Sequence, residues 1–286
     1  MNKHHEEKFW IKRKEGKLYF HLWLPEDLPR ATICLVHGLG DYSDCFLPLI
    51  SHFITSGYSI YAVDLYGSGH SDGLRGDVPN YHVFMEEIFA LLQLAQNRTR
   101  KIPIYLYGHS MGGNLVLNYA LRYKPDIAGI IASAAWLKMA DHPLGRQLRS
   151  FLISRVFPTY RYQSKLYPEK LSHDANYRKY YSQDPLIHGY VSARLFEQVS
   201  AAGNWVLRHA DETQLPTLLI HGEKDMITSP NASKLYVKNS HGNASYKGFS
   251  GDYHTLHQES NRQEVFDFIS NWIGEVTNYS VYKKAI

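Results

Sequence analysis

Ile102-Pro103-Ile104-Tyr105-Leu106-Tyr107-Gly108-His109-Ser110-Met111-Gly112-Gly113 decides how the rest of the chain is read. It begins as a short apolar run with β character, turns at glycines, and continues as a helical pattern in Leu115, Val116, Tyr119 and Ala120. Gly108-His109-Ser110-Met111-Gly112 fits G-x-S-x-G, in which a serine rides a strained strand-to-helix turn with its hydroxyl above the sheet. Glycines flank such a serine because a Cβ there would strike the neighbouring strand or helix. The helix that follows turns its N-terminal amides toward any anion forming on a reacting carbonyl. A serine between glycines can also be a plain turn, but the strand before it and the helix after it favour a nucleophile.

Outward from this stretch the chain alternates strands and helices. Lys17 to Leu24 reads as a half-buried strand in an edge hairpin with Phe9 to Lys14. Thr32 to Val36 is continuously apolar, as in a central parallel strand. Phe46, Leu49, Ile50, Phe53 and Ile54 mark a helix ended by Gly57; Tyr58 to Val63 is the next strand, and Phe84 to Ala95 a second helix. A strand over Ile127 to Ala132 follows the serine helix. The rhythm resumes with a strand at Pro216 to Ile220, a helix opened by Ser229-Pro230, a strand at Ala244 to Phe249, and a final helix behind a Ser260/Gln263 capping box. This predicts an α/β fold, a mainly parallel sheet with helices on both faces. Between Trp136 and Trp205 no strand is evident, and aromatics, arginines and prolines crowd together. That segment reads as an inserted helical cap, with Val191, Leu195, Val199, Ala202 and Val206 leading back to the core. The expected division is a core of 1–135 and 206–286 and a cap of 136–205.

The chain has 286 residues, 44% of them hydrophobic, enough for a full core. Its formal charge is +4 and its basic residues are scattered, which argues against nucleic acid. Two cysteines, Cys34 and Cys45, do not make a disulfide framework and suit a reducing cytoplasm. Met1 to Lys8 is charged with no apolar run behind it, so it does not read as a signal peptide. No run approaches the roughly 18 apolar residues of a membrane span. The glycine-rich loop Gly67 to Gly73 does not open into a helix, so it is not a dinucleotide fingerprint.

A serine hydroxyl needs a base, and the base an orienting acid. In this fold they follow in the order Ser, Asp/Glu, His, on loops after later strands. Asp225 and His254 lie on two such loops; Glu223 competes with the first and His257 with the second. His37, His109 and His221 end strands near the site and are expected to tie loops in place. No close-spaced ligand pair supports a metal site.

The pieces His37-Gly38-Leu39-Gly40, Asp64-x-x-Gly67-x-Gly69-x-Ser71-x-Gly73, Gly108 to Gly113, His221-Gly222-x-x-Asp225, Tyr253-His254-x-Leu256-His257-x-Glu259 and, in the cap, Asp184-Pro185-Leu186 together resemble the monoacylglycerol lipases and lysophospholipases, α/β-hydrolases of the serine aminopeptidase S33 type. The resemblance implies Ser110 as nucleophile, Asp225 as acid, His254 as base, and the backbone amides of Leu39 and Met111 as oxyanion hole. It implies a serine esterase that hydrolyses a small-molecule ester of a single acyl chain, a monoacylglycerol or a lysophospholipid, through an acyl-enzyme, with no cofactor and no metal. The sequence departs from the family at Asp41-Tyr42, where Glu-His is usual, and in most of the cap. A serine peptidase, a small-ester carboxylesterase and a non-catalytic binding module are the rival readings. The cap stripe Leu144, Leu148, Phe151, Leu152 and Val156, with Arg146 and Arg149 off it, suggests peripheral contact with a membrane. Nothing in the sequence speaks to oligomeric state.

Overall fold

The continuous apolar runs become strands buried on both faces. The computed structural model describes residues 4–99, 101–141, 152–164 and 167–285, with side chains to residue 278. Among the described residues there are ten strands: β1 (His4–Lys12), β2 (Lys17–Pro25), β3 (Thr32–Val36), β4 (Ser59–Asp64), β5 (Ile104–His109), β6 (Gly129–Ser133), β7 (Arg161–Gln163), β8 (Tyr190–Ser192), β9 (Thr217–Gly222) and β10 (Ala244–Phe249). The main helices are α1 (Leu47–Thr55), α2 (His82–Arg98), α3 (Met111–Tyr123), α4 (Ala175–Gln183), α5 (Ala193–Arg208), α6 (Pro230–Asn239) and α7 (Arg262–Ala285). Eight strands form one sheet in the order β1-β2-β4-β3-β5-β6-β9-β10. The pairs β1/β2 and β2/β4 are antiparallel, and all others in this sheet are parallel. This is the expected α/β-hydrolase architecture.

Period-two alternation divides each central strand between two cores. On β3, Cys34 and Val36 face one core and Ile33 and Leu35 the other; on β5, Leu106 joins the first and Tyr105 and Tyr107 the second. Helices α2, α3, α5 and α6 cover the first face, through side chains such as Ile88, Leu115, Val199 and Tyr236. Helices α1 and α7 cover the second, through Phe53 and Ile269. Burial on both sides is why these strands read as unbroken apolar runs.

Several expectations are corrected. β1 and β2 do form the expected antiparallel hairpin at the sheet edge, but β2 is its inner strand and is not half-buried: β4 pairs its far side, and Leu18 to Trp23 are all buried. Its apparently polar positions are amphipathic, with Tyr19 against Trp10 and His70, and His21 bonded to Glu6 and Asp44. The Ser260/Gln263 box is out of place by one residue: α7 starts at Arg262, which makes Asn261 rather than Ser260 the flanking residue. Ser229 does cap α6, with Pro230 at its first position.

Among its described residues, segment 136–205 holds more than the expected helices: a two-stranded antiparallel ribbon, β7 with β8, is present, and Val191 belongs to β8 rather than to the returning helix. Within its described residues, 152–156 and α4 are helical before α5 begins. Leu144, Leu148, Phe151, Arg146 and Arg149 lie outside the described residues. Leu152 and Val156 are exposed, whereas Ile153, on the opposite side of the stripe, lines a cavity. Three-residue strands are too short for periodicity to reveal.

Leu106 sits fully buried in the middle of β5, between β3 and β6. Leu106→Ala should lose about 2–5 kcal/mol of unfolding free energy. Urea denaturation reads this as a lower midpoint with an unchanged slope.

Candidate active site

Ser110 is the turn between β5 and α3. Its φ of 54° and ψ of −115° are rare for a residue with a Cβ. The turn persists because backbone closes on it. A Cβ on Gly108 would lie 2.3 Å from the Gly112 carbonyl oxygen, and one on Gly112 2.2 Å from that of Val36. Ser110 N–H donates to the Ser133 carbonyl (2.9 Å), and the Ser110 carbonyl accepts from Trp136 N–H (2.9 Å). Met111 opens α3, so its amide is among the first-turn donors with no intrahelical acceptor. Leu39 approaches from the β3 loop and lines the same cavity as Ser110.

Asp225 and His254 are brought together from loops 29 residues apart. His254 Nδ1–H donates to Asp225 Oδ2 at 2.7 Å. His254 and Ser110 line one cavity. With Nδ1 protonated, the lone pair of the imidazole lies on Nε2; this tautomer follows from the hydrogen bond to the carboxylate. Asp225 Oδ1 accepts from Ile227 N–H (2.7 Å) and Thr228 N–H (3.1 Å), and Oδ2 also accepts from His221 Nε2–H (3.0 Å). Burial opposes ionisation of Asp225, but the charge on His254 and the bonds from both histidines outweigh it. The carboxyl is held far below the ordinary range.

The competitors are engaged elsewhere. Glu223 bonds Lys234 (2.8 Å) and Tyr246 (2.9 Å) at the surface. His257 is buried and stacked on Phe46, with ring centroids 4.2 Å apart. Burial and the nearby His254 charge push its pKa down to about 3, so it packs as a neutral ring. His37 spans two loops, with Nδ1–H to the Gly38 carbonyl (2.8 Å) and Nε2 accepting from Leu65 N–H (2.9 Å). His221 ties Asp225 to Ser233 on α6. His109 lies against the rings of His254 and His257, 4.8 and 4.9 Å away.

Sequence reasoning missed Thr228. Its hydroxyl lies 2.8 Å from Asp225 Oδ2 and 2.9 Å from the Ala134 carbonyl. The Asp-x-x-Thr spacing, an aspartate capping the amides that follow it, was the available signal. The Asp41-Tyr42 departure also has a local account. Tyr42 donates to Asp184 Oδ2 (2.7 Å), while Asp184 Oδ1 accepts from Leu186 N–H (2.8 Å). Asp184 thus ties segment 184–186 to the loop that carries Leu39. Gly40, at φ 78°, leaves no room for a Cβ, which would meet the His188 carbonyl oxygen at 1.9 Å.

The cavity over Ser110 has a volume of about 500 Å³. Trp136, Met139, Ile153, Val191, Phe196 and Ile227 give it apolar walls, and Asp41, Tyr177, Tyr181 and Thr255 are among its polar ones.

The profile of the serine aminopeptidase S33 family matches residues 27–261. The chain belongs to that family. A monoacylglycerol lipase of Mycolicibacterium smegmatis is 26% identical over 90% of this chain and 92% of its own length. An abhydrolase domain-containing protein of Dictyostelium discoideum is 29% identical over 90% of this chain, which spans only 28% of that relative. The crystal structure of a Paleococcus ferrophilus monoacylglycerol lipase superposes with a TM-score of 0.80 at 26% identity, covering 96% of this chain and 99% of that one. In this S33-family member the resemblance read from the motifs extends through the fold.

Burial raises the Asp41 carboxyl from 3.8 to about 7, against the lowering effects of the His254 charge and the Gly38 amide. The folded state therefore holds this proton more tightly than the unfolded state. The resulting stability is full below pH about 3.8 and is lost as pH rises through about 7. Asp41→Asn should melt higher than wild type at pH 8, with the advantage gone at pH 3.5. Paired thermal melts at the two pH values check it.

Proposed function

We propose that this chain is a serine hydrolase of single-chain carboxylic esters, with monoacylglycerol as substrate. Ser110 is the nucleophile, His254 the base, Asp225 the orienting acid, and the Leu39 and Met111 amides the oxyanion hole. The observation that supports the reading is the His254–Asp225 bond behind an imidazole that lines the same cavity as the elbow serine.

His254 Nε2 takes the Ser110 proton as the serine oxygen attacks the ester carbonyl carbon. The tetrahedral oxyanion is held by the two amides, each worth roughly 3 kcal/mol in the transition state. Collapse breaks the bond to the alkoxy oxygen, which leaves as glycerol with the proton from His254. Water, deprotonated by His254, then attacks the acyl-serine, and the fatty acid departs while Ser110 recovers its proton. Asp225 stays ionised throughout and keeps Nδ1 protonated.

The walls support the substrate assignment. Each acyl methylene buried against the apolar side chains gains about 0.8 kcal/mol. The M. smegmatis and P. ferrophilus relatives carry the same substrate in their names.

The cap, taken as 136–205, is the proposed substrate-selecting unit on the core of 1–135 and 206–286. Val156, Phe157 and Tyr160 are more than half exposed, and Tyr160 also lines the cavity. An apolar rim at a cavity for acyl chains suits collection of substrate from a lipid surface by a cytoplasmic protein. No helix among the described residues is long and apolar enough to cross a membrane.

Ser110→Ala should fold normally and lose at least about 10³-fold in turnover of a medium-chain monoacylglycerol. Wild type should cleave that ester and leave aminoacyl p-nitroanilides untouched; the reverse preference would replace the lipase with a peptidase. Phe157→Asp should weaken co-sedimentation with anionic liposomes while leaving turnover of a water-soluble ester within twofold of wild type.

A further inference from the structure

The backbone on either side of His254 is fastened, and neither fastening is part of the reaction just described. Tyr253 N–H donates to Glu259 Oε1 at 2.9 Å. Thr255 N–H donates to the cap carbonyl of Leu171 at 2.8 Å. Glu259 is 1% exposed, and its other oxygen crosses to the cap, where Oε2 accepts from His173 N–H at 2.9 Å. The His173 imidazole Nδ1 lies 3.1 Å from Glu259 Oε1, and its ring stacks on Tyr253 with centroids 3.8 Å apart. Ser172 Oγ donates to the Gln258 carbonyl at 2.9 Å, joining strap to loop a third time.

The strap 171–174 is also continuous with the substrate cavity. Asp174 caps α4 by accepting from Asn176 and Tyr177 N–H. Tyr177 and Tyr181 on that helix line the cavity, as do Leu171 and Thr255 themselves. Leu171 thus both lines the cavity and accepts the hydrogen bond from the residue next to the base.

We infer that Glu259 is a positioning residue: by fastening strap 171–174 of the cap to the loop around His254, it aligns the base only while the strap is docked. This rests on the assignment of His254 as base and Ser110 as nucleophile. The carboxylate suits the task because two backbone N–H groups, one from the loop and one from the cap, converge on its two oxygens. Glutamine has one oxygen and would turn an N–H₂ donor toward one of them, so one end of the clamp must open. The cost falls on orientation, and a base displaced by a fraction of an ångström loses rate more than binding.

The test compares Glu259→Gln and His173→Ala with wild type, using p-nitrophenyl butyrate turnover and labelling by a fluorophosphonate. Labelling has two readouts. Its endpoint counts folded sites, and its rate constant reports how well the base activates Ser110. For Glu259→Gln the expected result is an unchanged endpoint, a roughly tenfold fall in labelling rate and kcat, and a KM within twofold of wild type. For His173→Ala, whose side chain is half-exposed and safe to remove, the expected fall is about threefold. Rates within twofold of wild type in both variants would overturn the inference. So would an endpoint that falls in proportion to kcat, because Glu259 would then serve folding alone. If Glu259→Gln does not fold, His173→Ala decides by the same criteria. A wild-type enzyme that fails to label at Ser110 would instead sink the proposed function.

Discussion

Backbone pressed against backbone at the β5–α3 turn is the constraint on which the molecule depends. Val36, at the end of β3, puts its carbonyl oxygen where a Cβ of Gly112 would be. Gly108 approaches Gly112 just as closely from the strand side. These contacts let α3 descend directly onto the sheet and force Ser110 into φ 54°. Such a conformation costs on the order of 1–3 kcal/mol and survives only where the surroundings over-determine it. Here the surroundings are two strands, a helix and the Ser110 hydrogen bonds to Ser133 and Trp136. The strain is offset by the packing of the central sheet, and its product is a serine hydroxyl lifted off the sheet into a cavity.

The second requirement is a buried negative charge. A lone carboxylate in a protein interior would take up a proton. Asp225 does not, because amides from Ile227 and Thr228 saturate one oxygen while His254 and His221 share the other. Only one of those imidazoles faces the cavity; the other is anchored to Ser233. The arrangement separates two tasks. His221 and the amides keep the charge in place, and His254 is left with a fixed tautomer and a free Nε2 edge.

Much of this was legible because the core obeys strong local rules. Thr32 to Val36 and Ile104 to His109 are apolar without interruption, and a strand covered on both faces must be. The glycines of the elbow announce close approach, and two later loops offer Asp225 or Glu223 and His254 or His257, between which the family resemblance, not loop position, chose. The cap was not legible for the opposite reason. Strands of three residues, β7 and β8, carry no period, and side chains such as Tyr160 and Tyr162 suit a surface, a cavity wall or a core equally well. β2 misled for a subtler reason: Tyr19, His21 and Trp23 count as polar or amphipathic in sequence, yet each finds a ring or a carboxylate inside the protein. The role of Thr228 was signalled only by its Asp-x-x-Thr spacing, and Glu259 stood in a quoted motif without a role, because a hydroxyl or carboxylate that holds other groups shows its task only once its partners are placed.

The central claim is that Ser110 becomes covalently acylated during turnover. Acid-quenching the enzyme in the steady state with a slowly deacylating ester, followed by peptide mass mapping, tests it directly. The account predicts one acyl group on the peptide that contains Ser110, formed in wild type and not in His254→Ala. Continued hydrolysis with no adduct, or an adduct on a different residue, would contradict it.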